Sequence, residues 1–325
     1  MPVRQFEQSF CDVLGERVAL PVIKTFYPLG FPLEIATNSE EVVEAAAESW
    51  NSYDYAFTRA PFHLRVLVEP SEGEPALEPK FRLQGGFLMI VSDRNHFAGC
   101  DLGGRFGWCL TSPRMLANRS WFRWYFLEAM AYALLAQQEI VPVHAACIAH
   151  CGRGVLLCGP SGAGKSTLAF ACARAGWSYL SDDATILLQG SHERDVIGKP
   201  HQFRFRPDAA RLFPELESRG AYIRRNGKAT VEIPASGFPE IATARRARIE
   251  RIVFLNRTTG GPADAEQIGS QEVLERLIRE SPDYGGNARR AHAETLRRLS
   301  AAPGYELTYG NYAEAVALLT ELAGA

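Results

Sequence analysis

Long apolar runs are missing from this sequence. No stretch approaches the roughly 20 residues a helix needs to cross a bilayer, and Met1 to Phe10 hold no apolar signal-peptide core. The expectation is a cytoplasmic protein with no membrane partner. An excess of charge of one sign is missing too: the formal net charge is -2 over 325 residues, no footprint for nucleic acid. Paired cysteines are lacking. The seven cysteines are an odd number without a C-x-x-C pair, and Cys147 and Cys151 stand close together without a second ligand pair. That argues against a zinc site and for buried free thiols in a reducing compartment. Internal repeats and low-complexity tracts are absent. What remains is an ordinary globular composition, 46% hydrophobic and 22% charged, at a length for which two domains are expected.

What is present centres on Gly159-Pro160-Ser161-Gly162-Ala163-Gly164-Lys165-Ser166. These residues fit the phosphate-loop pattern G-x-x-x-x-G-K-[ST] without a gap. The apolar run Val155 to Cys158 ahead of them reads as a buried strand, and Thr167 to Ala173 behind them as a helix. Glycines let the backbone turn so that several N–H groups converge on phosphate oxygens, and the helix adds its positive dipole end. Lys165 can reach the outer phosphates, and the Ser166 hydroxyl can coordinate magnesium. The expected nucleotide-binding set is Gly159, Ser161, Gly162, Ala163, Gly164, Lys165, Ser166 and Thr167, with ATP and Mg2+ as cofactors.

The rest of the chain divides near residue 140. Residues 1–139 read as an α+β domain of unassigned role, a candidate for substrate binding. In it, residues 39–50 form a capped helix with acids in the first turn. Residues 63–68, 81–83 and 87–91 are strands, residues 101–105 a hairpin turn, and residues 121–135 a long apolar helix. His96 reads as a surface or core histidine rather than a catalytic one. Residues 140–325 read as the nucleotide domain. Its strands are expected at 141–149, 155–158, 177–180, 184–188, 196–200, 249–255 and 305–309. Its later helices are expected at 272–279, 287–299 and 312–322.

A phosphate loop does not say what happens to the phosphate. Acids discriminate, and Asp182-Asp183 closes the strand that follows the loop helix. That strand is expected beside the loop strand, delivering both carboxylates to the phosphates. Consecutive strand-end residues point apart, so one carboxylate can face magnesium and the other the incoming hydroxyl. His144, on the strand before the loop strand, is expected near the mouth of the site. Basic residues cluster beyond the acids at Lys199, Arg204, Arg206, Arg224, Arg225 and Lys228. Arg204 and Arg206 alternate with Phe203 and Phe205, share one strand face, and are the better candidates for holding the phosphoryl group.

The placement of His144, the loop at 159–166 and the Asp182-Asp183 pair resembles the bacterial HPr kinase/phosphorylase family over residues 140–190, and more loosely to about 260. The resemblance implies an α/β kinase core of the type shared with phosphoenolpyruvate carboxykinases, here with an N-terminal α+β domain. It implies Asp182 as general base, Asp183 as a magnesium-side carboxylate, His144 as its positioning partner, and a serine hydroxyl as acceptor. Two departures stand out. Thr167 replaces the glutamate that often follows the loop serine, and residues 197–206 lack the E-x-R-G-x-G stretch tied to phosphorylase activity. The chain looks more like the HPr-kinase-related group that includes lasso-peptide kinases. The expected activity is ATP-dependent phosphorylation of a serine on a protein or peptide. A nucleotide-binding regulatory module and a small-molecule kinase are the alternatives, and a homo-oligomer is left open.

Overall fold

The computed structural model describes residues 10–11, 17–72, 79–190, 194–216, 220–223, 229–281 and 285–324. They fall into two units, Met1–Gln138 with Tyr284–Ala288, and Glu139–Asp283 with Arg289–Ala325. The division falls at residue 138, and a short later segment groups with the first unit. Arg224, Arg225 and Lys228 lie outside the described residues.

The first unit contains a two-stranded pair, β1 (Phe10–Cys11) and β2 (Arg17–Val18), and a seven-stranded sheet. The sheet strands are β3 (Val22–Phe26), β4 (Leu33–Thr37), β5 (Phe62–Val68), β6 (Lys80–Gln84), β7 (Phe87–Asp93), β8 (His96–Asp101) and β9 (Phe106–Thr111). They lie in the order β3-β4-β5-β9-β8-β7-β6, with β4, β5 and β9 mutually parallel and the outer pairs antiparallel. The helices are α1 (Glu40–Trp50), α2 (Pro113–Ala117), α3 (Arg119–Phe122) and α4 (Glu128–Gln138). The apolar helix expected at 121–135 is therefore interrupted, because a π turn at Arg123–Leu127 separates α3 from α4. Within that segment Arg123 turns to Glu48 and Ser49 on α1 while Phe122 and Phe126 stay buried. His96 is a satisfied core histidine, 2% exposed, with Nδ1 on Asp93 at 2.7 Å and Nε2 on the Ser112 hydroxyl at 2.8 Å.

The second unit begins with β10 (Ile140–Val143), β11 (Ala146–His150) and β12 (Arg153–Cys158), followed by α5 (Lys165–Arg174). Next come β13 (Ser178–Ser181), β14 (Thr185–Leu188), β15 (Asp195–Ile197), β16 (Gln202–Phe205), β17 (Ala221–Ile223) and β18 (Ala229–Pro234). The chain ends with β19 (Arg246–Arg257), β20 (Asp264–Ile268), α6 (Ser270–Glu280), α7 (Gly286–Leu299), β21 (Gly304–Tyr309) and α8 (Tyr312–Gly324). The main sheet runs β10-β14-β15-β19-β12-β11-β13, with β21 and then β20 added beside β19. It is mixed: β12, β19 and β21 are parallel, whereas β11 runs antiparallel to β12 and β13. The unit is mixed α/β.

Burial on both faces explains why residues 155–158 read as an unbroken apolar run. Val155 and Leu157 enter one core with Leu168, Phe170 and Leu319 of α5 and α8. Leu156 and Cys158 enter the other with Val273, Leu277 and Leu296 of α6 and α7. Each fully buried Val or Leu contributes about 1.5–3 kcal/mol, so the strand feeding the loop is held from both sides.

Two expectations need correction. The strand expected at 141–149 is two strands, because its hydrogen-bonded ladder stops at His144 and Ala145. There the Ala145 carbonyl accepts the Thr185 hydroxyl at 3.0 Å instead of a strand N–H. The acid-bearing strand β13 is not beside the loop strand, because β11 lies between them. Since β11 is antiparallel to both, β12 and β13 run the same way, and their C-terminal ends still open on one edge of the sheet. The cysteine expectation also needs adjustment. Cys100, Cys109, Cys147, Cys158 and Cys172 are buried free thiols, but Cys151 is exposed in the turn between β11 and β12.

Candidate active site

The interruption in the ladder is the structural origin of the site. Val143 pairs with Thr185 in β10–β14, and Cys147 pairs with Ser181 in β11–β13. The Cys147–Ser181 pair keeps the register of β10–β14, and the β11–β13 ladder shifts by one residue beyond it, so the two ladders meet across a gap. Continuing that register sets His144, Ala145 and Ala146 opposite Ala184, Asp183 and Asp182. The side chains expected to carry chemistry are those released from regular pairing. Ser181 and Thr185 brace the gap through a 2.7 Å hydroxyl–hydroxyl bond, both buried.

Across one strand from this gap, the loop from Gly159 to Ser166 leaves β12 and enters α5. Gly159, Gly162 and Gly164 have φ of 141°, 97° and 95°, in the region that favours glycine. At Gly164 a side chain would also meet the Tyr309 hydroxyl and lie 3.2 Å from that of Tyr312. Tyr309 Oη donates to the Ala163 carbonyl at 3.0 Å, fixing the loop just before the helix. Lys165 is 6% exposed, and its Nζ donates to the Gly159 and Pro160 carbonyls at 2.5 and 3.2 Å. The ammonium is therefore held on the carbonyls of the first two loop residues. Ser166 Oγ donates to the Asp182 main-chain carbonyl at 3.4 Å, joining the loop helix to the acid pair.

The two carboxylates have different surroundings. Asp182 is 7% exposed, and its Oδ2 accepts the Arg204 N–H at 2.7 Å. Burial pushes its carboxyl up to about 6 and the neighbouring Asp183 charge adds to this, while the Arg204 guanidinium and N–H pull the other way. Asp183 is 39% exposed, with Oδ1 3.2 Å from His144 Nδ1 and Oδ2 4.0 Å from Arg204 Nη1. His144 Nδ1 also lies 3.1 Å from the Asp183 carbonyl oxygen.

Arg204 reaches the acids because β16 is clamped from behind. Phe203 and Phe205 face the Phe170 ring of α5, with centroids 5.2 and 5.0 Å away, so Arg204 projects from the opposite face. There it approaches Asp183 and, at 3.8 Å, Glu232 of β18. Arg206, just past the strand, donates from Nη2 to Ser161 Oγ of the loop at 3.3 Å. The alternation Phe203-Arg204-Phe205-Arg206 is thus core residue and site residue by turns. Sequence reasoning missed Glu232, Tyr309 and Tyr312, since no motif marks them; Tyr309 had a signal only in closing a strand expected at 305–309.

A cavity of about 710 Å³ opens beside Gly159 and Pro160 and is walled further by Phe254, Gln271, Glu275 and Arg279. His144, Asp182 and Asp183 do not line it. The chemistry-bearing groups instead sit along the sheet edge itself.

A family model described as SynChlorMet cassette protein ScmC matches residues 108–197, less than half of the chain. A search of curated proteins returned no match. Among solved structures, the chain is similar to the HPr(Ser) kinase/phosphatase from Coxiella burnetii at 15% identity and a TM-score of 0.29, covering 56% of this chain and 92% of that one.

Proposed function

We propose that the second unit binds ATP at Gly159–Thr167 and transfers its γ-phosphoryl group to a serine hydroxyl of a protein or peptide. The observation that carries this reading is the convergence of the loop, with Lys165 and Ser166, on the Asp182–Asp183–His144 gap through the 3.4 Å bond from Ser166 to Asp182.

The geometry suits in-line transfer. The loop N–H groups and Lys165 hold the phosphates, and Arg206 and Arg204 flank the migrating group from the β16 side. The acceptor oxygen forms its bond to the γ-phosphorus while the bond from phosphorus to the β,γ-bridging oxygen breaks. The acceptor proton passes to Asp182, whose carboxyl near 6 suits a base working at neutral pH. Among the described residues no three His, Cys, Asp or Glu side chains converge into a metal cage. Ser166 and Asp183 instead offer one hydroxyl and one carboxylate, hard oxygen donors that fit magnesium brought in on phosphates. When bound, the ion would offset negative charge on the phosphates. His144 holds Asp183 in place for that role.

The test is incubation with γ-labelled ATP, magnesium and serine-bearing peptides and proteins, with Asp182→Asn in parallel. Label on serine, lost in the variant, supports the reading. Release of phosphate without labelled acceptor would favour a regulatory nucleotide-binding module, and label on a small alcohol a small-molecule kinase. Because residues 197–206 lack the E-x-R-G-x-G stretch, phosphate-driven reversal yielding pyrophosphate is expected to be negligible.

A further inference from the structure

A triphosphate lying in the loop must send its nucleoside off to one side or the other. On the β11–β13 side stand Asp182 and Asp183, which repel phosphate oxygens and occupy the approach an acceptor needs. On the opposite side β19 and β21 run parallel to β12, so their C-terminal residues open on the same sheet edge as the loop. Those residues are Arg257, the last of β19, and Tyr309, the last of β21, directly paired in register.

We infer that Arg257 and Tyr312 form the platform on which the aromatic base of the nucleotide stacks. This inference rests on the reading of the loop as a triphosphate site. The Arg257 guanidinium carbon lies 5.3 Å over the Tyr312 ring, and Arg257 is exposed. A guanidinium stacked on one ring has its second flat face available to another. Tyr312 is braced edge-on by Tyr309 at a centroid distance of 5.5 Å, and its ring packs against the core beneath α5 and α8. Tyr309 is tied to the loop through the Ala163 carbonyl, and the Thr258 N–H to the Tyr309 carbonyl at 2.9 Å. The platform and the phosphate cradle are therefore one braced assembly, with the tyrosine hydroxyls against Gly164, where the loop becomes helix. A planar cation on an aromatic ring supports a flat, electron-rich base by stacking, a contact inorganic polyphosphate cannot make.

The test compares ATP with inorganic tripolyphosphate, both with magnesium, by titration calorimetry on the full chain. Arg257→Ala is expected to weaken ATP binding by about tenfold, the scale of one stacked base, and to leave tripolyphosphate affinity unchanged, and Tyr312→Leu to weaken ATP binding at least as much. Tyr312→Phe keeps the ring and should bind ATP nearly as well as the parent. An unchanged ATP-to-tripolyphosphate ratio in Arg257→Ala, an exposed substitution that leaves the core alone, overturns the platform. Failure of the parent protein to bind either ligand overturns the triphosphate reading itself. Loss of both ligands in Lys165→Ala alone, with the ratio intact elsewhere, keeps that reading and sinks only the platform.

Discussion

One ring nitrogen of His144 holds Asp183 at two points: Nδ1 lies 3.1 Å from its main-chain oxygen and 3.2 Å from Oδ1 of its carboxylate. A carbonyl oxygen can only accept, so the proton resides on Nδ1, and in the neutral ring Nε2 carries the lone pair. The histidine thus orients the carboxylate across the broken ladder. His144→Ala is expected to leave the fold intact and to raise the magnesium concentration needed for half-maximal ATP binding by about tenfold, the lower range for loss of an outer-shell partner. Nucleotide titrations at graded magnesium read this directly, and an unchanged magnesium dependence would remove the positioning role.

Asp182 and Asp183 should fail in different ways. Asp182→Asn is expected to bind ATP and magnesium as the parent does while transfer falls by about 10²-fold or more, the scale of a lost general base. Asp183→Asn is expected to weaken magnesium-dependent nucleotide binding, with partial recovery at high magnesium. Identical defects in the two variants would mean the pair acts as one metal site. Normal transfer in both would reduce it to a turn.

The raised carboxyl of Asp182 makes a stability prediction of the opposite sign to its activity. Its folded value of about 6 lies above the ordinary 3.8, so between these pH values the folded protein keeps a proton that the unfolded chain has released. Its contribution to stability therefore falls as pH rises through that window, and the full penalty is present above it. Asp182→Asn removes the charge and should stabilise the protein at about pH 7.5 by on the order of 2 kcal/mol, with little effect near pH 4. Denaturant titrations at the two pH values decide this, and equal shifts at both would refute it. In the same vein, transfer by the parent should rise with pH through about 6 and then level off.

Lys165→Ala should cost ATP binding a few kcal/mol, the worth of a charged phosphate contact in a preorganised site. The circular dichroism spectrum should not change, and full ATP affinity in the variant would end the phosphate-loop reading.

Gly164→Ala should damage the same loop from the other side. The backbone there has φ of 95°, and a methyl group would press on the Tyr309 hydroxyl. A loss of about 1–3 kcal/mol in stability is expected from strain alone, together with weaker ATP binding. Chemical denaturation alongside nucleotide titration measures both, and a neutral result would show that the loop relaxes freely.

Local structure was legible from the residues alone. The order strand, loop 159–166, helix follows from an apolar run, glycines and helix formers that are contiguous in sequence. The shared face of Arg204 and Arg206 follows from period-two alternation with Phe203 and Phe205. The opposed surroundings of Asp182 and Asp183 match the divergence expected of neighbours at a strand end. What the residues could not state was pairing. The interposition of β11 between the loop strand and the acid strand, the break in the ladder at His144, and the meeting of Arg257 with Tyr312 join segments far apart in the chain. Such contacts depend on which strands hydrogen-bond and in what direction, and an isolated strand looks the same whichever neighbour it has. Burial decided the rest: Asp182 reads in sequence as an ordinary acid, and only its enclosure beside Arg204, on a strand held by Phe170, pushes its carboxyl up to about 6.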